Sequence, residues 1–211
     1  MVFRASELGR GLARINAEDK NDPHTSAFIH VPTLGHRIAV IGVTGSGKTT
    51  FARELAQRLG SPHVELDALH WEPNWTEAPL DTFRARVAQA LSGDRWVVDG
   101  NYGKARDIIW SRADTIVWLD YALPIILWRL WWRTLRRMIT REELWSGNRE
   151  SARGAFFSRD SIFLWAIGTY QRRRREYPIL LKQPEHAHLT LVHLRSPRET
   201  RQWVENLELE T

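Results

Sequence analysis

The residues best placed to do chemistry lie between positions 42 and 50, in Gly42-Val43-Thr44-Gly45-Ser46-Gly47-Lys48-Thr49-Thr50. They fit G-x-x-x-x-G-K-[ST], a backbone cradle for the phosphates of a nucleoside triphosphate. Glycines let successive N–H groups turn toward one point, and that point coincides with a helix N-terminus, where the dipole favours anions. Gly42, Gly45, Ser46, Gly47 and Thr50 supply the cradle. Lys48 reaches the β- and γ-phosphates, and the Thr49 hydroxyl is a ligand for Mg²⁺.

Such a loop works only between a strand and a helix. Ile38-Ala39-Val40-Ile41 before it is a short apolar run of the kind that forms a buried parallel strand. Phe51, Leu55 and Leu59 after it repeat at helical spacing, and Gly60 and Pro62 stop the helix. Four further strands are predicted, at His63–Asp67, Trp96–Tyr102, Thr115–Asp120 and His188–Leu194, with helices between them at Leu80–Leu91, Ala105–Trp110, Pro124–Thr140 and Ser158–Tyr177. The segment Asp67–Trp75 reads as a loop, and a last helix opens at Ser196 or Pro197. This alternation predicts a three-layer α/β/α domain around a five-stranded parallel sheet.

Ligands bind such sheets beyond the carboxyl ends of the strands. Asp67, Asp99 and Asp120 end predicted strands and so gather near the phosphate loop. Acids there can hold a metal or take a proton from a hydroxyl, which is what phosphoryl transfer requires. Asp120, before a turn into a helix, reads as structural. Trp71, in the loop after Asp67, is a candidate pocket wall, and Asn101 and Tyr102 are candidate contacts to an acceptor.

Composition narrows the remaining chemistry. The 211-residue chain has no cysteine, which excludes disulfides, thiol catalysis and thiolate zinc and suits a reducing cytoplasm. The eight histidines show no ligand spacing with carboxylates. No signal peptide or membrane span is expected, because charges break the first 30 residues and the apolar stretch Ile116–Trp132 contains Asp120, Pro124 and Arg129. Residues 1–35 read as a partly disordered extension. The net charge of +5 is concentrated between Arg129 and Glu176, where 12 Arg and no Lys face 5 acids. Arginine forks suit phosphates and carboxylates. Arg129, Arg133, Arg136 and Arg137 share a helix at spacings of three and four, whereas the run Arg172–Arg175 reads as a solvated turn.

Three segments together carry a resemblance: Leu66-Asp67-Ala68-Leu69-His70-Trp71-Glu72-Pro73-Asn74-Trp75, Trp96-Val97-Val98-Asp99-Gly100-Asn101-Tyr102, and Ala113-Asp114-Thr115-Ile116-Val117-Trp118-Leu119-Asp120. With the phosphate loop they resemble the nucleoside-monophosphate-kinase-like group of P-loop kinases, which includes adenylate, shikimate and gluconate kinases. Within that group they look most like the bacterial DNA topology modulation proteins, often described as adenylate-kinase-like. The resemblance spans about residues 36–207.

It implies a sheet of order 2-3-1-4-5 and Mg²⁺–ATP as the phosphoryl donor. It makes Asp99 the acid on the metal side, with Thr49, and Asp67 the residue that orients or deprotonates an acceptor. It also implies an Arg-rich helical lid at about 129–160, whose arginines, Arg133 and Arg137 among them, neutralise charge on the transferring group. The chain departs from adenylate kinases where their Asp-Gly-Phe-Pro-Arg is here Asp99-Gly100-Asn101-Tyr102-Gly103, so AMP is not implied as the acceptor. The shikimate kinase Asp-x-Asp and Gly-Gly-Gly signatures are absent as well. A cytoplasmic kinase for a small molecule or nucleotide, monomeric or homodimeric, is the first expectation. The family name leaves a second open, an ATPase that associates with nucleic acid through the arginines.

Overall fold

The computed structural model describes residues 34–140, 143–148 and 162–207. All of them lie in one compact unit, Val31–Thr211. Residues 1–33 of the expected N-terminal extension, Ser158, and Arg141, Arg149 and Arg153 of the expected lid lie outside the described residues, whereas Leu34, expected in the extension, is buried in the core.

Five strands pair in parallel: β1 (Arg37–Gly42), β2 (His63–Glu65), β5 (Trp96–Asp99), β6 (Thr115–Leu119) and β7 (Thr190–Leu194). Their spatial order is β2-β5-β1-β6-β7. Counted along the chain among these five alone, that is 2-3-1-4-5, so the order reverses beside β1, where the crevice of a doubly wound sheet opens. A separate two-stranded ribbon joins β3 (Trp71–Glu72) to β4 (Thr76–Glu77).

Both faces of the sheet are covered, which is why its central strands are apolar throughout rather than alternating. On one face, Ile38, Val40, Val97, Val117, Val192 and Leu194 pack against α1 (Lys48–Arg58), α5 (Leu123–Thr140) and the last helix, α7 (Pro197–Glu205). On the other, Ala39, Ile41, Val98, Ile116 and Trp118 meet α3 (Leu80–Ala90), α4 (Arg106–Arg112) and Tyr177 of α6 (Ile162–Leu180). Ser196 caps α7 by accepting the Glu199 N–H at 3.1 Å, with Pro197 in the first turn.

The structure corrects the elements around the site in three places. The second strand stops at Glu65, and Leu66–His70 form a short helix, α2, so Asp67 sits in a helical first turn instead of at a strand end. The expected loop 67–75 is α2, the β3–β4 ribbon and a turn in which Asn74 and Trp75 have positive φ. Pro178 lies inside α6, which runs to Leu180. Among the described residues, no helix is long and apolar enough to cross a membrane.

Helix α1 carries the phosphate loop, and its fully buried Leu55 presses it onto the sheet. Leu55→Ala is expected to cost about 2–5 kcal/mol of unfolding free energy, read as a lower midpoint in urea at unchanged slope.

Candidate functional site

The phosphate loop is set by how closely other backbone approaches it. Gly42 has φ 152°, and a Cβ there would lie 2.6 Å from the Leu119 carbonyl oxygen and 2.8 Å from Ser46 Oγ. Gly45 has φ 84°, and its Cβ would lie 2.9 Å from the Ile126 carbonyl oxygen of α5. Only glycine fits either position. The loop ends at Gly47, the left-handed residue before α1, so Lys48 and Thr49 open the helix with their N–H groups unsatisfied within it.

Asn101 holds the loop from the next strand. Its amide nitrogen donates to the Gly42 carbonyl, and its Oδ1 accepts the Gly42 N–H at 3.2 Å and the Tyr177 hydroxyl at 3.0 Å. The structure thus commits Asn101 to positioning the loop, where the sequence pointed to an acceptor contact. Arg173 Nη2 donates to the Asn101 carbonyl at 3.1 Å and its guanidinium lies over the Tyr177 ring.

Thr49 and Asp99, which the resemblance puts together, meet: Thr49 Oγ1 donates to Asp99 Oδ2 at 2.6 Å. The other oxygen, Asp99 Oδ1, lies 3.1 Å from His63 Nε2. Nothing in the sequence singled out His63, whose role depends on β2 lying beside β5. Lys48 is half-buried, and its Nζ donates to the Val43 carbonyl at 3.3 Å. Burial lowers its pKa, and Asp99 and Asp67 oppose that shift by favouring the ammonium form.

Asp67 Oδ1 accepts the Tyr102 hydroxyl at 2.5 Å. Burial, and next the Asp67 carboxylate, push the Tyr102 phenol well above its usual pKa, so it stays a proton donor to Asp67. The Asp67 Oδ2 atom has no hydrogen bond among the described residues, and Asp67 lines the cleft that contains the phosphate loop. His70 is buried among Trp71, Phe83 and Tyr102, and burial lowers its pKa.

The cleft measures about 1220 Å³. Helix α5 forms one wall with Arg129, Arg133, Arg136 and Arg137, so both arginines expected at the transferring phosphoryl border the space where it would lie. Arg129 contacts the loop directly: Nη1 donates to the Ser46 carbonyl at 2.8 Å, and the guanidinium lies 5.0 Å over the Tyr121 ring. The regular spacing of the four arginines could not distinguish it. The run Arg172–Arg175 is only partly solvated. The Arg173 side chain is 12% exposed, and Arg174 Nε pairs with Asp120 at 2.9 Å. Asp120 is buried between Arg174 and His193, the structural role its position suggested.

Trp71 does not line this cleft; it packs in the ribbon against His70 and Trp75. The ribbon receives the segment 143–148 that follows α5. Asn148, 4% exposed, donates through Nδ2 to the Glu72 and Trp145 carbonyls, both at 2.9 Å, and accepts the Trp75 N–H at 2.8 Å. Ser146 Oγ donates to the Trp71 carbonyl at 2.7 Å. Trp145 Nε1 donates to Glu65 Oε2 at 3.0 Å, which brings Trp145 into the cleft wall. The two tryptophans flanking Pro73 therefore mark a dock for the far wall of the cleft.

The residues present suit an ion that keeps most of its water. One hydroxyl and one carboxylate oxygen adjoin at Thr49 and Asp99, and no group of three or more acidic, histidine or cysteine side chains among the described residues could hold a metal by itself. That donor set fits Mg²⁺ bound with phosphate oxygens and water.

No family model matches the chain. Among curated proteins it is similar to the shikimate kinase of Symbiobacterium thermophilum, with 34% identity over 99 residues, covering 39% of this chain. The chain spans about half, 56%, of the length of that relative. Among solved structures it is similar to a gluconokinase from Sinorhizobium meliloti, at 20% identity and TM-score 0.44 over 82% of this chain and 93% of that one. A shikimate kinase from Acinetobacter baumannii, in complex with shikimate, gives 17% and 0.47 over 82% and 91%. A sugar kinase from Janibacter sp. gives 21% and 0.45 over 81% and 91%. All three scores lie below 0.5, and the fold assignment rests on the topology described above.

Asn148→Ala removes three hydrogen bonds, two of which, with Glu72 and Trp75, hold the ribbon to the cleft wall. Amide exchange of Trp75 is expected to accelerate by roughly tenfold or more, while amides of β1 keep their protection, in a hydrogen-exchange measurement.

Proposed function

We propose that this protein is a kinase that transfers the γ-phosphoryl group of Mg²⁺–ATP to a hydroxyl of a small polar acceptor. The observation that carries the reading is the convergence of Lys48, the Thr49–Asp99 pair, Asp67 and the α5 arginines on one cleft at the crevice of the sheet. The partial likeness to a shikimate kinase is consistent with it.

The triphosphate lies along the loop N–H groups at the start of α1, and Lys48 exchanges its Val43 carbonyl for a phosphate oxygen. Mg²⁺ supplies charge neutralisation between the phosphates when it is bound at Thr49 and, through water, Asp99. The far end of the cleft, walled by Tyr121, Arg129 and Pro197, takes the nucleoside. Asp67 faces the acceptor. Tyr102 fixes Oδ1, and Oδ2 accepts the proton of the acceptor hydroxyl as its oxygen forms a bond to phosphorus. The bond from phosphorus to the β–γ bridging oxygen breaks, and ADP leaves with that electron pair. Arg133 and Arg137 offset charge on the group in transit.

The topology-modulation resemblance supports a narrower acceptor class of nucleotides, and the partial shikimate kinase match a polar metabolite. The nucleic-acid reading gains no observation. The α5 arginines turn toward the cleft, and Arg173 and Arg174 are engaged within the protein.

ADP release from Mg²⁺–ATP, measured against nucleoside monophosphates, nucleosides, sugar acids, shikimate and duplex DNA, tests the assignment. One small molecule should raise turnover. Lys48→Ala should lower that turnover at least about 100-fold, and Asp67→Asn should lower kcat by roughly 10²–10⁴-fold with ATP affinity retained. Full activity in Lys48→Ala, or stimulation by DNA alone, would reject the proposal.

A further inference from the structure

A second concave site lies between the C-terminal end of α6 and strand β7. Strand β7 is the edge of the sheet. Its inward residues Val192 and Leu194 are buried, but the face bearing Leu189, Leu191, His193 and Arg195 is only half covered by the end of α6. The result is a groove of about 540 Å³, within the ordinary range for small-molecule sites. It shares no lining residue with the phosphate-loop cleft.

Its floor is apolar. Leu191 is 43% exposed although it lies in the middle of a strand, and Leu189, Leu181 and Pro178 border it. One end is a rigid aromatic wall, where His193 stacks on Trp118 with ring centroids 4.2 Å apart and planes 6° from parallel. The stack is held by Asp120, which takes His193 Nε2 at 3.1 Å and Arg174 Nε at 2.9 Å.

The rim is cationic. Arg174, Lys182 and Arg195 all border the groove. Among the described residues Asp120 is the only acid lining it, and Arg174 and His193 already balance that carboxylate. The Lys182 and Arg195 side chains make no ion pair among the described residues; the nearest acid to the latter, Glu199, accepts the Arg195 backbone N–H. Two uncommitted cations above an exposed apolar floor match a ligand that is both anionic and apolar.

We infer that this groove is a second ligand site, for a small organic anion with a flat apolar body, its charge between Lys182 and Arg195 and its body on Leu191 beside the Trp118–His193 stack. The site is independent of the phosphotransferase reading, since it uses none of those residues.

Isothermal titration with phenyl phosphate, inorganic phosphate and benzyl alcohol tests the inference. With the phosphate loop filled by saturating Mg²⁺–ADP, phenyl phosphate should bind saturably, one per chain, at least about tenfold more tightly than either half of it alone. The surface double variant Lys182→Glu/Arg195→Glu should weaken it roughly tenfold or more, and Leu191→Asp should do the same. Lys48→Ala, in the other cleft, should leave the affinity unchanged. Thermal unfolding at the wild-type midpoint shows that each variant is folded, and Leu191→Asn replaces Leu191→Asp if the latter unfolds. Absence of saturable binding overturns the inference. So does equal affinity for phosphate and phenyl phosphate, binding that survives the charge reversal, or binding abolished by Lys48→Ala. A self-associating chain whose dimer is broken by Leu191→Asp and excludes phenyl phosphate would assign the groove to a second copy and overturn it as well.

Discussion

The whole site depends on a steric constraint: the phosphate loop is threaded through a gap too narrow for a Cβ. Gly42 lies against the Leu119 carbonyl at the end of β6, and Gly45 against the Ile126 carbonyl of α5. This packing ties three otherwise separate elements to one backbone path. The loop cannot shift without moving β6, and α5 cannot approach or retreat without moving the loop. Arg129 is therefore placed at Ser46 by the backbone contact one turn before it, and the arginines beyond it on α5 inherit that position. Interiors packed to this density move between discrete arrangements more readily than they deform.

Polar contacts complete what the packing begins. Asn101 occupies both hydrogen-bonding groups of Gly42, so the loop entrance is fixed from β5 as well as from β6. Asp99, two residues earlier, meets Thr49 from the same strand end. One short stretch, Asp99–Tyr102, thus serves three purposes through Asp99, Asn101 and Tyr102: a partner for Thr49, a strut for the loop and support for Asp67. Successive residues point in different directions as the chain leaves a strand, which lets so few positions act on separate partners.

The tryptophans divide by environment. Trp96, Trp110, Trp118 and Trp203 fill the core, whereas Trp71 and Trp75 form the ribbon on which segment 143–148 docks. That dock is made mostly of hydrogen bonds to main-chain groups. Such contacts constrain backbone shape more than residue identity, so a wall of the cleft is held by Asn148 and Ser146 without a large apolar interface.

Sequence alone determined the phosphate loop, the alternation of strands and helices, and the acids at Asp67 and Asp99. Each of these is written in local spacing: glycines around one lysine, apolar runs of strand length, a carboxylate after three of the five runs. What only the tertiary structure decided concerns partners distant in the chain. The pairing of His63 with Asp99 follows from β2 lying beside β5, and the commitment of Asn101 to Gly42 from β5 lying beside β1. The contact of Arg129 with Ser46, the near-burial of the Arg173 side chain and the pairing of Arg174 with Asp120 depend on which helical face meets the sheet. Periodicity identifies a face but not what that face will touch, because the contact is set by packing across more than fifty residues of intervening chain.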